Sequence, residues 1–115
     1  MKVLMLLLAL SSFSAFAIEC EDFGQQTRVQ QCQMDRADRI LTATYNAIMG
    51  KLAGAESTDF RAGQRLWNQM RDKHCSVEGR LFPAEIGITV KTCKTRLAES
   101  RNKELEGLLA VMNAE

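Results

Sequence analysis

The chain has 115 residues, of which 46% are hydrophobic and 25% are charged. These values are typical of one folded domain and exclude a disordered or low-complexity chain. One proline and seven glycines argue against a turn-rich β-sandwich. A single histidine and the lack of a glycine-rich loop argue against most metal and nucleotide sites, so we expect no cofactor. The formal net charge of +1 gives no electrostatic support for binding nucleic acid.

The first seventeen residues have the pattern of an export signal. Lys2 supplies a positive charge, residues 3–10 form an unbroken apolar run, and residues 15–17 read Ala-Phe-Ala, the small-x-small pattern of a signal-peptidase site. The apolar run is shorter than the roughly 20 residues that a membrane-spanning helix requires. The sequence therefore predicts a cleaved Sec-type bacterial signal peptide at 1–17. The remaining single domain, 18–115, is expected to be periplasmic or secreted and free of the membrane.

Three stretches after the signal show the three- and four-residue periodicity of amphipathic helices. The first is predicted at 26–53 with Gly54 as a left-handed cap, and the second begins after Ser57, a candidate N-cap. The third is predicted at 89–112. The three stripes are Ala37, Leu41, Tyr45, Ile48 and Leu52; then Phe60, Gln64, Trp67, Arg71 and His74; then Val90, Cys93, Leu97, Arg101, Leu105, Leu108 and Met112.

The connections between these stretches set the expected topology. The first connection is short, so the first two helices should run antiparallel. The second, Ser76 to Ile88, is longer, contains Pro83 and is unusually apolar for a loop. The predicted fold is all-α, a small antiparallel bundle of three main helices in up-down-up order.

All four cysteines follow the predicted cleavage site, and an even count in a small exported chain indicates two disulfides. In the up-down-up bundle Cys32, Cys75 and Cys93 share one end, and Cys20 can fold back to it. The disulfides should therefore staple that end. Four cysteines allow three pairings, among which the spacing does not choose. We take Cys20–Cys75 with Cys32–Cys93 as the working prediction, since it leaves no bond within one local segment.

Three charged residues fall on the apolar stripes: Asp38, Arg71 and Arg101. A charge facing a bundle interior without a partner costs several kcal/mol, roughly, so these side chains should pair. We predict a structural ion network in which Asp38 meets Arg71 or Arg101, joined by Asp72. The alternative is a polar ligand site inside the bundle, which would require an internal cavity. Two aromatic residues, Tyr45 and Trp67, are expected in the core.

The chain offers little for catalysis. His74 is the only imidazole, and its neighbour Cys75 is better explained as a disulfide partner than as a nucleophile. Zinc-binding spacings and the Cys-x-x-Cys-His motif of c-type haem are absent. We therefore predict that the protein is not an enzyme. An enzyme would require a cleft in which His74 meets an acid.

A longer pattern in the chain resembles a known family. The run Gln64-x-x-Trp67-x-x-x-Arg71-Asp72-x-x-Cys75 is similar to the central motif of the lysozyme inhibitor LprI-like N-terminal domain family. The early cysteine pair fits that family as well. So does the first helix, with Ala37-Asp38-x-x-Leu41-x-x-x-Tyr45, and the last segment, with Cys93-x-x-x-Leu97 and Arg101.

The resemblance implies an exported, disulfide-bonded helical protein that binds a protein partner, either lysozyme or another cell-wall hydrolase. It would act stoichiometrically by covering the cleft in which that enzyme cleaves peptidoglycan. The segment from Ser76 to Ile88 is the expected contact, with Leu81 and Phe82 as apolar anchors and Glu78 and Glu85 as complements to the basic surface of lysozyme. The alternative partners are a different envelope enzyme or a toxin, for which the chain would serve as an adaptor or immunity protein.

Overall fold

Three long helices account for most of the computed structural model, which describes residues 20–115. A short 3-10 turn at Cys20–Phe23 leads into α1, Gln26–Met49. The second helix, α2, is Gly54–Leu81, and α3 is Ile86–Ala114. A single 3-10 turn, Pro83–Glu85, separates α2 from α3. Residues 20–115 contain no strand, so the predicted all-α class is confirmed.

The helices run up, down and up, as predicted. α1 and α3 are parallel, since Gln30 near the start of α1 accepts a hydrogen bond from Thr92 near the start of α3. α2 is antiparallel to both: Tyr45 near the end of α1 stacks on Phe60 near the start of α2, and Cys75 of α2 is bonded to Cys93 near the start of α3. α1 and α2 each pack extensively on α3, and they meet each other through the Tyr45–Phe60 ring stack and the Arg71–Asp38 ion pair.

The hydrophobic core lies mainly between α1 and α3. It consists of Ala37, Leu41 and Ile48 from α1 and of Ala98 and Leu105 from α3. Their spacing places each set on one face of its helix, and burial of that face supplies most of the favourable free energy of folding. The aromatic residues predicted for the core, Tyr45 and Trp67, are half-buried against this cluster; the list of half-buried neighbours also includes Leu52, Phe60, Leu109 and Met112.

The connection between α1 and α2 differs in detail from the prediction. α1 ends at Met49 and not near residue 53. Gly54 does have a left-handed conformation, with φ of +62°, but it is the first residue of α2 and does not cap α1. Ser57, the predicted N-cap, lies inside α2. Glycine adopts this φ without a steric penalty, so the chain turns here while α2 starts four residues earlier than expected.

The connection between α2 and α3 is much shorter than the predicted loop at 76–88. α2 continues past Cys75 to Leu81, and α3 begins at Ile86. Gly79, inside the predicted loop, is a buried packing position in the helix. A Cβ atom there would lie 2.6 Å from Cγ2 of Val90. Glycine is therefore required because α2 and α3 approach closely, and Pro83 marks the actual turn.

The disulfides pair Cys20 with Cys32 and Cys75 with Cys93, so the predicted Cys20–Cys75 and Cys32–Cys93 pairing is wrong. In each bond the two Cα atoms are 5.5 Å apart. The first bond ties the 3-10 turn to α1, and the second joins α2 to α3. The prediction failed because it avoided bonds within one local segment, whereas both bonds are local, with sequence separations of 12 and 18 residues. With α2 extended to Leu81, Cys75 lies within the α2–α3 hairpin and directly faces Cys93.

The predicted signal peptide at 1–17 lies outside the described residues. Within residues 20–115 no helix combines the length and the apolar composition needed to cross a membrane.

Candidate functional site

The turn between α2 and α3 carries a cluster of exposed apolar side chains. Leu81 is 68% exposed, Phe82 59%, Ile86 49% and Val77 48%. We call these four side chains the apolar tip. Exposed apolar clusters on small proteins often mark protein–protein contact surfaces, and aromatic anchors dominate the binding free energy at such surfaces.

The hairpin beneath the apolar tip is fastened covalently and by close packing. Cys75 and Cys93 are fully buried and form the disulfide that joins the two helices. Gly79 lies between this bond and the tip and lets the side chains of Ile86 and Val90 approach the α2 backbone. Both features limit the movement of the tip relative to the rest of the molecule.

The two acidic residues predicted to contact a partner have different surroundings. Glu78 lies on the last turns of α2, where its Oε2 accepts hydrogen bonds from Arg96 at 2.6 Å and from His74 at 2.8 Å. The hydrogen bond from Arg96 lowers the pKa of Glu78, and the charge of Arg96 and the bond from His74 act in the same direction. Glu85 is exposed in the 3-10 turn and forms no ion pair within residues 20–115.

His74, Glu78 and Cys93 bring ligand-type atoms within 4.8 Å of one another, a spacing that can hold a metal ion. The chemistry of this set does not fit a metal, however. The sulfur of Cys93 is bonded to Cys75 and is not a thiolate, while the carboxylate of Glu78 is bound to Arg96. Its Oε2 lies 3.0 Å from the Cys93 sulfur as a contact only, since a disulfide sulfur has no proton to donate. The group acts as an ion-pair cluster beside the disulfide.

The predicted ion network is divided into separate pairs. Arg71 donates to Asp38 at 2.6 Å, which confirms one of the two predicted pairings, and its guanidinium lies over the ring of Trp67. Arg101 instead donates to Gln64 at 3.2 Å and to Glu104 at 3.1 Å, and Asp72 pairs with Lys94 at 3.3 Å. The four predicted residues therefore link helices in pairs and do not form one internal polar site.

Two features of these surfaces were missed at the level of sequence. The first is Arg96, which forms an ion pair with Glu78. Its position three residues after Cys93, almost one helical turn, could have indicated that it lies beside the disulfide. A groove between α1 and α2 carries Arg61 and Arg65 on one wall. The four-residue spacing of these arginines places them on the same face of a helix, but the sequence gives no sign that this face borders a groove.

The model of one protein family, described as "Lysozyme inhibitor LprI", matches residues 20–105. No curated protein and no solved structure shows significant similarity to the chain. The match covers both disulfides, all of α2 and most of α3. Because it covers most of the sequence, the chain belongs to the LprI lysozyme inhibitor family.

Proposed function

We propose that the protein is an exported inhibitor that binds lysozyme, or another peptidoglycan-cleaving enzyme, through the apolar tip and covers its substrate cleft. The observation that carries this proposal is the apolar tip itself, exposed on a disulfide-fastened hairpin in a member of an inhibitor family. An inhibitor of this kind binds one enzyme molecule and carries out no turnover.

The shape of the tip suits insertion into a cleft. The chain reverses within four residues, 82–85, so Leu81 and Phe82 project from the end of two packed helices and not from a broad loop. A rigid element loses little conformational entropy on binding, which favours affinity for a given contact area. The Cys75–Cys93 bond and the packing at Gly79 supply that rigidity.

Of the two acidic residues predicted to contact a partner, only Glu85 keeps that role in our proposal. Glu78 is held by Arg96 and His74, so it orients the hairpin and offers little free negative charge to a partner. Glu85 has no ion-pair partner within residues 20–115 and adjoins the tip. We therefore assign Glu85 alone the role of complementing a basic enzyme surface, with an effect mainly on association rate.

The experiment is a titration of c-type and g-type lysozymes with the oxidised chain, residues 18–115. We expect saturable inhibition near a one-to-one ratio. Phe82→Ala should weaken inhibition by about tenfold or more, since truncating an aromatic anchor typically costs about 2 kcal/mol. Leu81→Ala should have a similar but smaller effect.

Val111→Ala is the matched control. Val111 is as exposed as Phe82, at 61%, but lies on α3 about 37 Å from Ile86 at 1.5 Å per residue. The Val111→Ala variant should inhibit lysozyme as strongly as the unmodified chain. Equal losses in both variants would contradict a contact at the tip. An absence of inhibition by folded protein would remove these lysozymes as targets and turn the search to the other envelope partners.

A further inference from the structure

A groove runs between α1 and α2, beside the Arg71–Asp38 ion pair that links these helices. It has a volume of about 440 Å³, within the range of small-molecule sites. One wall carries Asp38, Thr42 and Asn46 from α1, and the other carries Arg61, Arg65 and Asn68 from α2. The groove exists because both helices pack closely on α3, whereas α1 and α2 meet each other through long side chains and leave their backbones apart.

The charge of this groove is strongly positive compared with the whole chain. Arg61, Arg65 and Arg71 line it, and Asp38 is its single acidic lining residue. Asp38 is already neutralised by Arg71 at 2.6 Å. Arg61 and Arg65 pair with no carboxylate within residues 20–115. Two guanidinium groups are therefore available to an anion, in a protein whose basic and acidic residues nearly balance.

Arg71 adds a further unsatisfied donor in the same lining. Its side chain is only 13% exposed, and its Nε is buried without a hydrogen-bond partner in the described part of the chain. A buried donor without an acceptor is costly and rare in folded proteins. Because the contacts with Asp38 and Trp67 hold the guanidinium in place, this donor is fixed beside the groove.

Neutral polar groups complete the lining. The side-chain amides of Asn46 and Asn68 and the hydroxyl groups of Thr42 and Tyr45 also line the groove. Amides and hydroxyls both donate and accept, which matches the hydroxyl groups of a sugar. The arginines, in contrast, only donate, and their planar guanidinium groups match a carboxylate.

We propose that the α1–α2 groove binds an acidic carbohydrate, with its carboxylate on Arg61 and Arg65 and its hydroxyl groups on Asn46 and Thr42. The antiparallel register of Tyr45 with Phe60 and of Asp38 with Arg71 places Asn46 and Thr42 at the level of these two arginines. This site is separate from the apolar tip, and the proposal does not depend on enzyme inhibition. The open groove and the small number of contacts indicate a weak, readily reversible site.

The test is a two-dimensional ¹H–¹⁵N NMR titration of residues 18–115 with glucuronate. We expect saturable shifts of the Asn46 side-chain amide and the Thr42 backbone amide, with a dissociation constant on the order of millimolar. Glucose, which lacks the carboxylate, and inorganic phosphate, which lacks the sugar, should each bind about tenfold more weakly. Arg61→Gln combined with Arg65→Gln should also weaken glucuronate binding about tenfold, while Arg80→Gln, an exposed arginine elsewhere on α2, should leave it unchanged.

Three results would overturn the proposal. These are no saturable shift with glucuronate, phosphate binding as strongly as glucuronate, or equal weakening by the control and the double variant. The double variant should still inhibit lysozyme, so failure of this site and failure of the proposed inhibition are distinguishable.

Discussion

α3 contacts α1 and α2 through different kinds of interaction. Towards α1 the contact is an apolar core that includes Leu41, Ile48 and Leu105. Towards α2 the half-buried Phe60 and Trp67 reach the edge of that core, and the remaining contacts are a disulfide, a glycine packing position and polar pairs such as Glu78 with Arg96. The α1–α3 pair therefore supplies stability by burial, whereas α2 is held in position by specific anchors. That arrangement leaves α2 free to expose an apolar tip at its end without removing residues from the core.

The largest effect should come from the core. Ile48→Ala removes a fully buried side chain and should lower the free energy of unfolding by about 2–5 kcal/mol, through lost burial and a residual cavity. Met70→Ala on α2, where the side chain is 45% exposed, should change it by less than about 1 kcal/mol. Urea unfolding followed by circular dichroism measures both. Similar losses in the two variants would show that the core does not lie between α1 and α3.

The second-largest expected effect is the loss of a disulfide, and the two disulfides should differ in their effect on inhibition. Replacing Cys75 and Cys93 with alanine should cost about 3 kcal/mol, given the 18-residue separation, and should also weaken inhibition because the hairpin is released. Replacing Cys20 and Cys32 should cost a similar or slightly smaller amount, given the 12-residue separation, and leave inhibition intact. Stability measurements and lysozyme titrations of the same samples test this. Full inhibition without the Cys75–Cys93 bond would contradict the role assigned to hairpin rigidity.

The smallest expected effect is the pH dependence of the free energy of unfolding that Glu78 causes. The folded-state pKa of Glu78 is lowered, first by the hydrogen bond from Arg96, so the unfolded chain takes up this proton at a higher pH than the folded chain. The stabilisation is fully present above the ordinary glutamate pKa of about 4.3 and is lost as the pH falls through the lower folded-state value.

Unfolding of the unmodified chain and of Glu78→Gln across this range measures the effect. The difference in stability between them should shrink as the pH falls below about 4.3. A difference that is independent of pH would show that the Glu78 charge does not contribute.

Local patterns in the sequence predicted the three helices, their up-down-up order and the end at which the disulfides lie, because amphipathic periodicity is a property of each segment. The Asp38–Arg71 pair was also accessible, since a charge on an apolar stripe requires a partner. The end of α2 was not accessible. In the sequence, a glycine at position 79 is compatible with a turn. Only the structure shows that glycine is needed there because Val90 packs against the α2 backbone.

The disulfide pairing was predicted wrongly, and the groove was not predicted. The pairing was chosen to avoid bonds within one local segment, whereas both bonds are local, with separations of 12 and 18 residues. The α1–α2 groove depends on how two helices sit on a third, and no single segment encodes that placement. The apolar tip was predicted in part. Leu81 and Phe82 were predicted as contacts from the family resemblance, while their exposure at a tight turn required the structure.

The most direct test of the central claim is to map the enzyme contact by NMR. A ¹⁵N-labelled sample of residues 18–115 would be titrated with unlabelled lysozyme, and the backbone amide signals followed. We expect the largest changes within 77–86, which contains the apolar tip, and little change along α1. Changes centred on the α1–α2 groove, or spread evenly over the three helices, would contradict binding through the apolar tip.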